Sequence, residues 1–200
     1  MSRFFTQHVL WLIGLVLLLA GGRAAWAQTE TTPFETLEFR FSGARNVNQN
    51  FLHTFWQQGT GGEFSVATPF YLGYAEVGGA YHRYPVKQFT VPAFDAVLTF
   101  AGWGLGVGVA DRLRLEGGVR IGTYRMTFDE ITDFPGVKNE SELALLLHAR
   151  LAIRPVGPVS LHLGGSYMKV YTFLRMNLWY ASAGLSYRLN SPNWLKDFLR

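Results

Sequence analysis

Eleven residues of this chain have chemistry and spacing that would let them act together: Glu38, Arg40, Glu76, His82, Arg114, Glu116, Arg120, Glu142, His148, Arg150 and Arg188. Each lies on one side of a stretch that alternates with period two, so a strand would aim them all the same way. Four carboxylates against five guanidiniums is close to balance. In a confined space such groups pair with one another, because an unpaired buried charge is very costly. The plainest chemistry is therefore an ionic filling. A sharper one is a narrow gated pore whose lining side chains set ion preference. His53, His82, His148 and His162 raise two more possibilities. A His with a Ser and a carboxylate would make a hydrolase. His162 and Ser166 are four apart on one strand face and do not stand side by side, and no catalytic motif is present, so the expectation is no enzyme. A metal site from His82, His148 and Glu76 is weaker still, and neither metal nor cofactor is expected.

The stretch that best shows how these residues are held runs from Phe94 to Met126. Two alternating arms flank Ala110-Asp111-Arg112. In the second arm Leu113, Leu115, Val119, Ile121 and Thr123 share one face, and Arg114, Glu116, Gly118, Arg120, Gly122 and Tyr124 the other. In the first arm Trp103, Leu105 and Val107 oppose Gly102, Gly104, Gly106 and Gly108, with Leu98 and Phe100 above them. A water-facing strand would carry Lys, Thr and Gln. Glycine inside a strand marks curvature or close approach. The polar face therefore suits the inside of a small closed barrel, and the apolar face points outward at lipid.

The first residues are not part of that barrel. A polar start with Arg3, an apolar run from Val9 to Ala20 and a small-residue end at Ala25-Trp26-Ala27 form a secretory signal peptide, residues 1–27, with cleavage expected before Gln28. Losing Arg3 and Arg23 lowers the net charge from +4 to +2. With no basic run and an exported chain, nucleic acid binding is not expected. There are no cysteines. A small secreted domain without disulfides must close its structure another way, and a barrel does so by pairing every strand edge.

The period-two pattern predicts eight strands: about Glu35–Ser42, Gly62–Thr68, Gly73–Tyr84, Phe94–Val109, Leu113–Met126, Ser141–Arg154, Val159–Tyr171 and Asn177–Leu189. Most reach the roughly 9–11 residues that cross a bilayer at a tilt; the second is short. The connections Pro69–Leu72, Ala110–Arg112 and Pro155–Pro158 are short. Gly43–Gly61 and Phe128–Glu140 are long, and Pro85–Ala93 is intermediate. Only Thr172–Met176 breaks the alternation. Short turns at one end and long loops at the other are the rhythm of outer-membrane barrels.

With its leader, eight alternating strands and aromatic belts, the chain resembles the small bacterial outer-membrane proteins of the OmpA/OmpX type. The resemblance is architectural and covers almost all of residues 34 to 189. It implies an all-β, up-and-down antiparallel transmembrane barrel over 28–190, exported to the outer membrane of a Gram-negative cell envelope. It also implies partners in outer-membrane lipid and the barrel-assembly machinery, and a monomer. Chains of that type end on the last strand, whereas eleven residues follow Leu189 here.

The tail, 191–200, predicts a short amphipathic helix. Ser191 serves as N-cap, Pro192 takes the first helical position, and Trp194, Leu195, Phe198 and Leu199 share a face. Phe51, Leu52, Phe55 and Trp56 repeat that spacing in the first long loop. Both segments fit the membrane surface or the barrel mouth. Tyr81, Trp103, Tyr171, Trp179 and Tyr187 near strand ends suit interfacial girdles. The same aromatics would line the core of a soluble lipocalin-like barrel, but no lysine sits mid-strand as a solvated face would require. The sequence thus predicts an outer-membrane barrel with a charge-filled, occluded lumen and a structural or surface-contact role. A porin-like narrow pore, a lipid-modifying enzyme and a soluble periplasmic binder are the alternatives.

Overall fold

In the computed structural model, residues 33–87, 91–129, 139–173, 175–194 and 196 are described. The leader 1–27 lies outside them. The strands are β1 (Thr36–Asn46), β2 (Thr60–Phe70), β3 (Gly73–Tyr84), β4 (Phe94–Ala110), β5 (Leu113–Phe128), β6 (Asn139–Val156), β7 (Val159–Val170) and β8 (Met176–Asn190). A four-residue helix, α1 (Leu52–Phe55), sits between β1 and β2. Each strand pairs antiparallel with the next, and β8 pairs with β1 to close the barrel. Closure leaves no edge strand to be capped.

The eight predicted strands are all present, with corrected ends. The second is not a short strand over Gly62–Thr68; it runs the full length of β3, and Thr60 to Phe70 pair with Arg83 to Gly73. Its Gly61, Gly62 and Pro69 hide it from propensity, yet a partner strand on each side supplies the pairing. The first strand likewise extends to Asn46, because β8 continues beside it to Tyr180.

The alternation sorts residues as a barrel must. Val77, Ile121, Leu143, Leu147 and Leu163 stand on the outside, and Leu163 is 63% exposed. Inward positions are small, charged or packed. At roughly 25 cal/mol per Å2 of apolar surface, an exterior so clad is stable only against an apolar surrounding.

The interior has two layers, where the sequence suggested a mainly charged face. Toward the short turns the inward residues are Arg, Glu and Gly. Toward the loops they become apolar: Tyr84, Phe94, Leu98, Tyr124, Met168 and Leu178 are fully buried in one cluster. The hydroxyls of Tyr84 and Tyr180 bond to each other inside it. Leu98→Ala is therefore expected to cost about 2–5 kcal/mol of unfolding free energy. Val109→Ala, at an outward position 61% exposed, should stay within about 0.5 kcal/mol. Urea titration of tryptophan fluorescence, on protein folded in detergent micelles, reads both.

The loop helix packs on the apolar layer at the loop end. Leu52 joins the apolar cluster, and the Trp56 ring meets Phe94 edge-on at 5.3 Å. Trp56 Nε1 donates to the Pro92 carbonyl at 2.7 Å and Lys87 Nζ to the His53 carbonyl at 2.6 Å. Of the four residues predicted to form an amphipathic face, only Phe51 is strongly exposed, at 65%. The segment is thus packed on the barrel, and it makes one helical turn only. In the tail, Lys196 N–H donates to the Pro192 carbonyl at 3.2 Å and Trp194 is exposed. Leu195, Phe198 and Leu199 lie outside the described residues.

Candidate functional site

The charged layer is built around one carboxylate. Glu76, on β3, is 2% exposed. It accepts from Arg120 through both oxygens at 3.0 Å, from Arg40 Nη1 at 3.3 Å and from Ser65 Oγ at 2.6 Å. Arg150 Nη2 stands 3.6 Å away. Arg40 is the matching hub. Its three nitrogens reach Glu38 at 2.9 Å, Glu76 at 3.3 Å and Glu116 at 3.0 Å. Glu116 also meets Arg150 at 3.4 Å and Arg114 at 3.3 Å. Glu38 bonds Arg188 at 2.9 Å, and Arg120 holds Glu63 at 2.9 Å. The planar guanidinium can serve several carboxylates at once in a way an ammonium cannot.

Register explains how these side chains cross the wall to meet. Glu76, Gly102 and Arg120 occupy one row across β3, β4 and β5. A Cβ on Gly102 would fall 2.7 Å from Arg120 Cγ and 2.6 Å from the Val119 carbonyl oxygen. In another row Tyr74 passes over Gly104 and Gly118 to put its hydroxyl 2.8 Å from His148 Nε2. A Cβ on Gly104 would lie 2.5 Å from that hydroxyl. The inward face of β4 is thus a bare trough in which side chains from β3 and β5 lie down.

Of the predicted lumen residues, the structure joins Glu38, Arg40, Glu76, Arg114, Glu116, Arg120, Arg150 and Arg188 in one network. His148 borders it, with Nε2 4.0 Å from Glu76. His82 points inward but meets the Tyr180 ring at a tilt of 39°, centroids 4.5 Å apart. Glu142 is a correction: it faces inward opposite Tyr124, level with the apolar layer rather than the charge network. Glu63 and Ser65 were missed. Their alternation with Phe64 and Val66 was the available signal. Ser42 Oγ and His162 Nε2 are 2.8 Å apart across Gly184. The His162 Nδ1 makes no hydrogen bond, so no carboxylate orients this pair as a triad would.

At the loop rim Arg83 pairs with Asp95 and Asp129. The Arg83 hydrogen bond holds the Asp129 carboxyl below its ordinary range. Burial, and then the nearby Lys87 charge, lower His53.

No protein-family model and no curated protein sequence matches the chain. Solved structures do. The Pseudomonas aeruginosa outer membrane protein OprG aligns with a TM-score of 0.58 at 11% identity, covering 82% of this chain and 100% of its own. Neisserial surface protein A gives 0.55 at 13% identity, covering 78% and 96%. Ail, the attachment invasion locus protein of Yersinia pestis, in complex with the heparin analogue sucrose octasulfate, gives 0.50 at 16%, covering 77% and 97%. The fold is that of the small outer-membrane barrels.

The predicted girdle residues stand outward toward the two ends of the barrel. Tyr81, Tyr171 and Trp179 stand outward toward the loops, and Tyr167 packs on Trp179 at 5.0 Å. Trp103 and Tyr187 stand outward on the other side, toward the turns. Because Glu76 and its partners are buried, Glu76→Ala should cost about 3–5 kcal/mol by removing the carboxylate that three guanidiniums share. Arg83→Gln, at the exposed rim, should cost under about 1 kcal/mol. Equilibrium unfolding in micelles compares them directly, and equal costs would mean that the lumen network is hydrated.

Proposed function

We propose that the protein is a non-enzymatic outer-membrane barrel of Gram-negative bacteria. In this reading it is a monomer inserted by the barrel-assembly machinery, with an occluded lumen and loop-end surfaces that serve contact outside the cell. The observation that carries this reading is the inverted sorting of side chains: exposed aliphatic residues all round and buried, mutually paired charges within. The similar structures are an outer membrane protein, a surface protein and an attachment invasion locus protein, which suits a surface role. Against a conducting pore stand two barriers in series, the Glu76–Arg40–Arg120 network and the apolar cluster under α1. An eight-stranded wall leaves room for side chains and little more.

The test is fractionation of cells that express the full chain, followed by planar-bilayer recording of the purified barrel. The protein should stay in the outer membrane, migrate differently in unboiled gels and give no steady conductance. Release with the soluble periplasm would overturn the membrane reading; a steady open current would overturn occlusion.

Ile121→Lys tests the lipid face on its own. Ile121 is 55% exposed at the middle of β5, where a lysine against hydrocarbon costs about 2–4 kcal/mol. Thr127→Lys, outward at the rim, should cost about 0–1 kcal/mol. Unfolding in phospholipid vesicles measures both.

A further inference from the structure

Where the charged layer meets the apolar layer there is a partly enclosed cavity of about 30 Å3. Its wall includes His82, His148, His162, Arg120, Arg150 and Glu63. Four of these side chains carry buried nitrogens without a hydrogen-bond partner: both ring nitrogens of His82, Nδ1 of His148, Nδ1 of His162 and Nη2 of Arg150. The His82, His162 and Arg150 residues and the His148 side chain are each more than nine-tenths buried. Lone unsatisfied groups of this kind are uncommon in folded proteins. Four on one cavity call for a common guest.

The Tyr74 hydroxyl and His148 Nε2 are 2.8 Å apart, and so are Ser42 Oγ and His162 Nε2. In the tautomers in which each hydroxyl donates, both neutral rings carry their own proton on Nδ1 and present it to the cavity. Arg150 Nη2 is a charged donor whose nearest carboxylate oxygen on Glu76 is 3.6 Å away. His82 supplies one donor more and one acceptor. Glu63 borders the cavity but is engaged by Arg120 at 2.9 Å. The unsatisfied wall is therefore rich in donors and poor in acceptors. The volume suits about two waters, yet two waters would bring four hydrogens of their own to place. A guest that only accepts meets the inventory better.

We propose that this cavity binds a single monatomic anion of chloride size, held by the Nδ1–H groups of His148 and His162, by Arg150 Nη2 and by His82. The ion completes the ionic layer from above and ties β3, β6 and β7 to it. The inference rests on the cavity geometry and does not require the membrane reading.

The experiment uses the full chain, labelled with 15N-histidine and folded in detergent micelles. Sodium chloride replaces sodium gluconate at constant ionic strength. The His82, His148 and His162 signals should shift saturably together, and His53, outside the lumen, should not. Bromide should do the same, and crystals grown in bromide should show an anomalous peak in the cavity. Arg150→Gln should weaken the apparent affinity at least about tenfold, a loss of about 1.4 kcal/mol; if that variant does not fold, the wild-type titration and the bromide peak decide. Shifts that do not saturate, or that His53 shares, together with a cavity peak lacking anomalous signal, would show water in the site and overturn the proposal.

Discussion

A carboxylate at the centre of an eight-stranded barrel has nowhere to be hydrated. That constraint on Glu76 shapes most of the interior. Its charge must be answered within reach of its oxygens, and Arg40, Arg120 and Arg150 answer it from β1, β5 and β6. Those arginines are then in excess around it, so Glu38, Glu63 and Glu116 follow. Long side chains from many strands cannot converge in so narrow a space unless some wall is bare. The glycines of β4 supply that wall, at the entropic cost that glycine carries in a strand. Charge pairing and the glycine trough are thus two sides of one packing solution.

The same reasoning accounts for the second layer. Once the network spans the lumen, the space between it and the loops is cut off on one side. Filling it with Leu98, Phe100, Leu146, Met168 and Leu178 makes an ordinary apolar core there, and α1 lowers Leu52 onto it as a lid. Buried ion pairs contribute little net stability after desolvation, while breaking one is costly. The apolar layer and the closed ladder of β-pairs hold the barrel together, and the ion pairs decide which arrangement it takes.

Much of this was legible in the sequence, because a barrel writes its two faces into period two. Strand order, the turn and loop ends and the inward arginines all follow from that alternation. The apolar layer did not, for a simple reason: where both faces are apolar, as at Leu145-Leu146-Leu147 and Val97-Leu98, the contrast that marks direction disappears. Glu63 lies inside the strand predicted over Gly62–Thr68, but so brief an alternation beside two glycines does not by itself mark which side faces inward. The meeting of Tyr74 with His148, or Ser42 with His162, depends on registers set by strands far apart in sequence, which no local pattern contains.

Glu38 and Arg188 stand directly opposite each other where β1 meets β8. These are the first and last strands, and they join only when the cylinder shuts. Sliding β8 by one residue would set Leu189 against Glu38 and turn Arg188 outward into hydrocarbon. A two-residue slide would restore the faces but part the ion pair and leave Glu38 facing Ser186 or Asn190. The pair therefore acts as a latch that accepts one alignment of the chain's ends and rejects its neighbours. The signal for correct closure can thus reside inside the barrel wall rather than at the final residue of the chain.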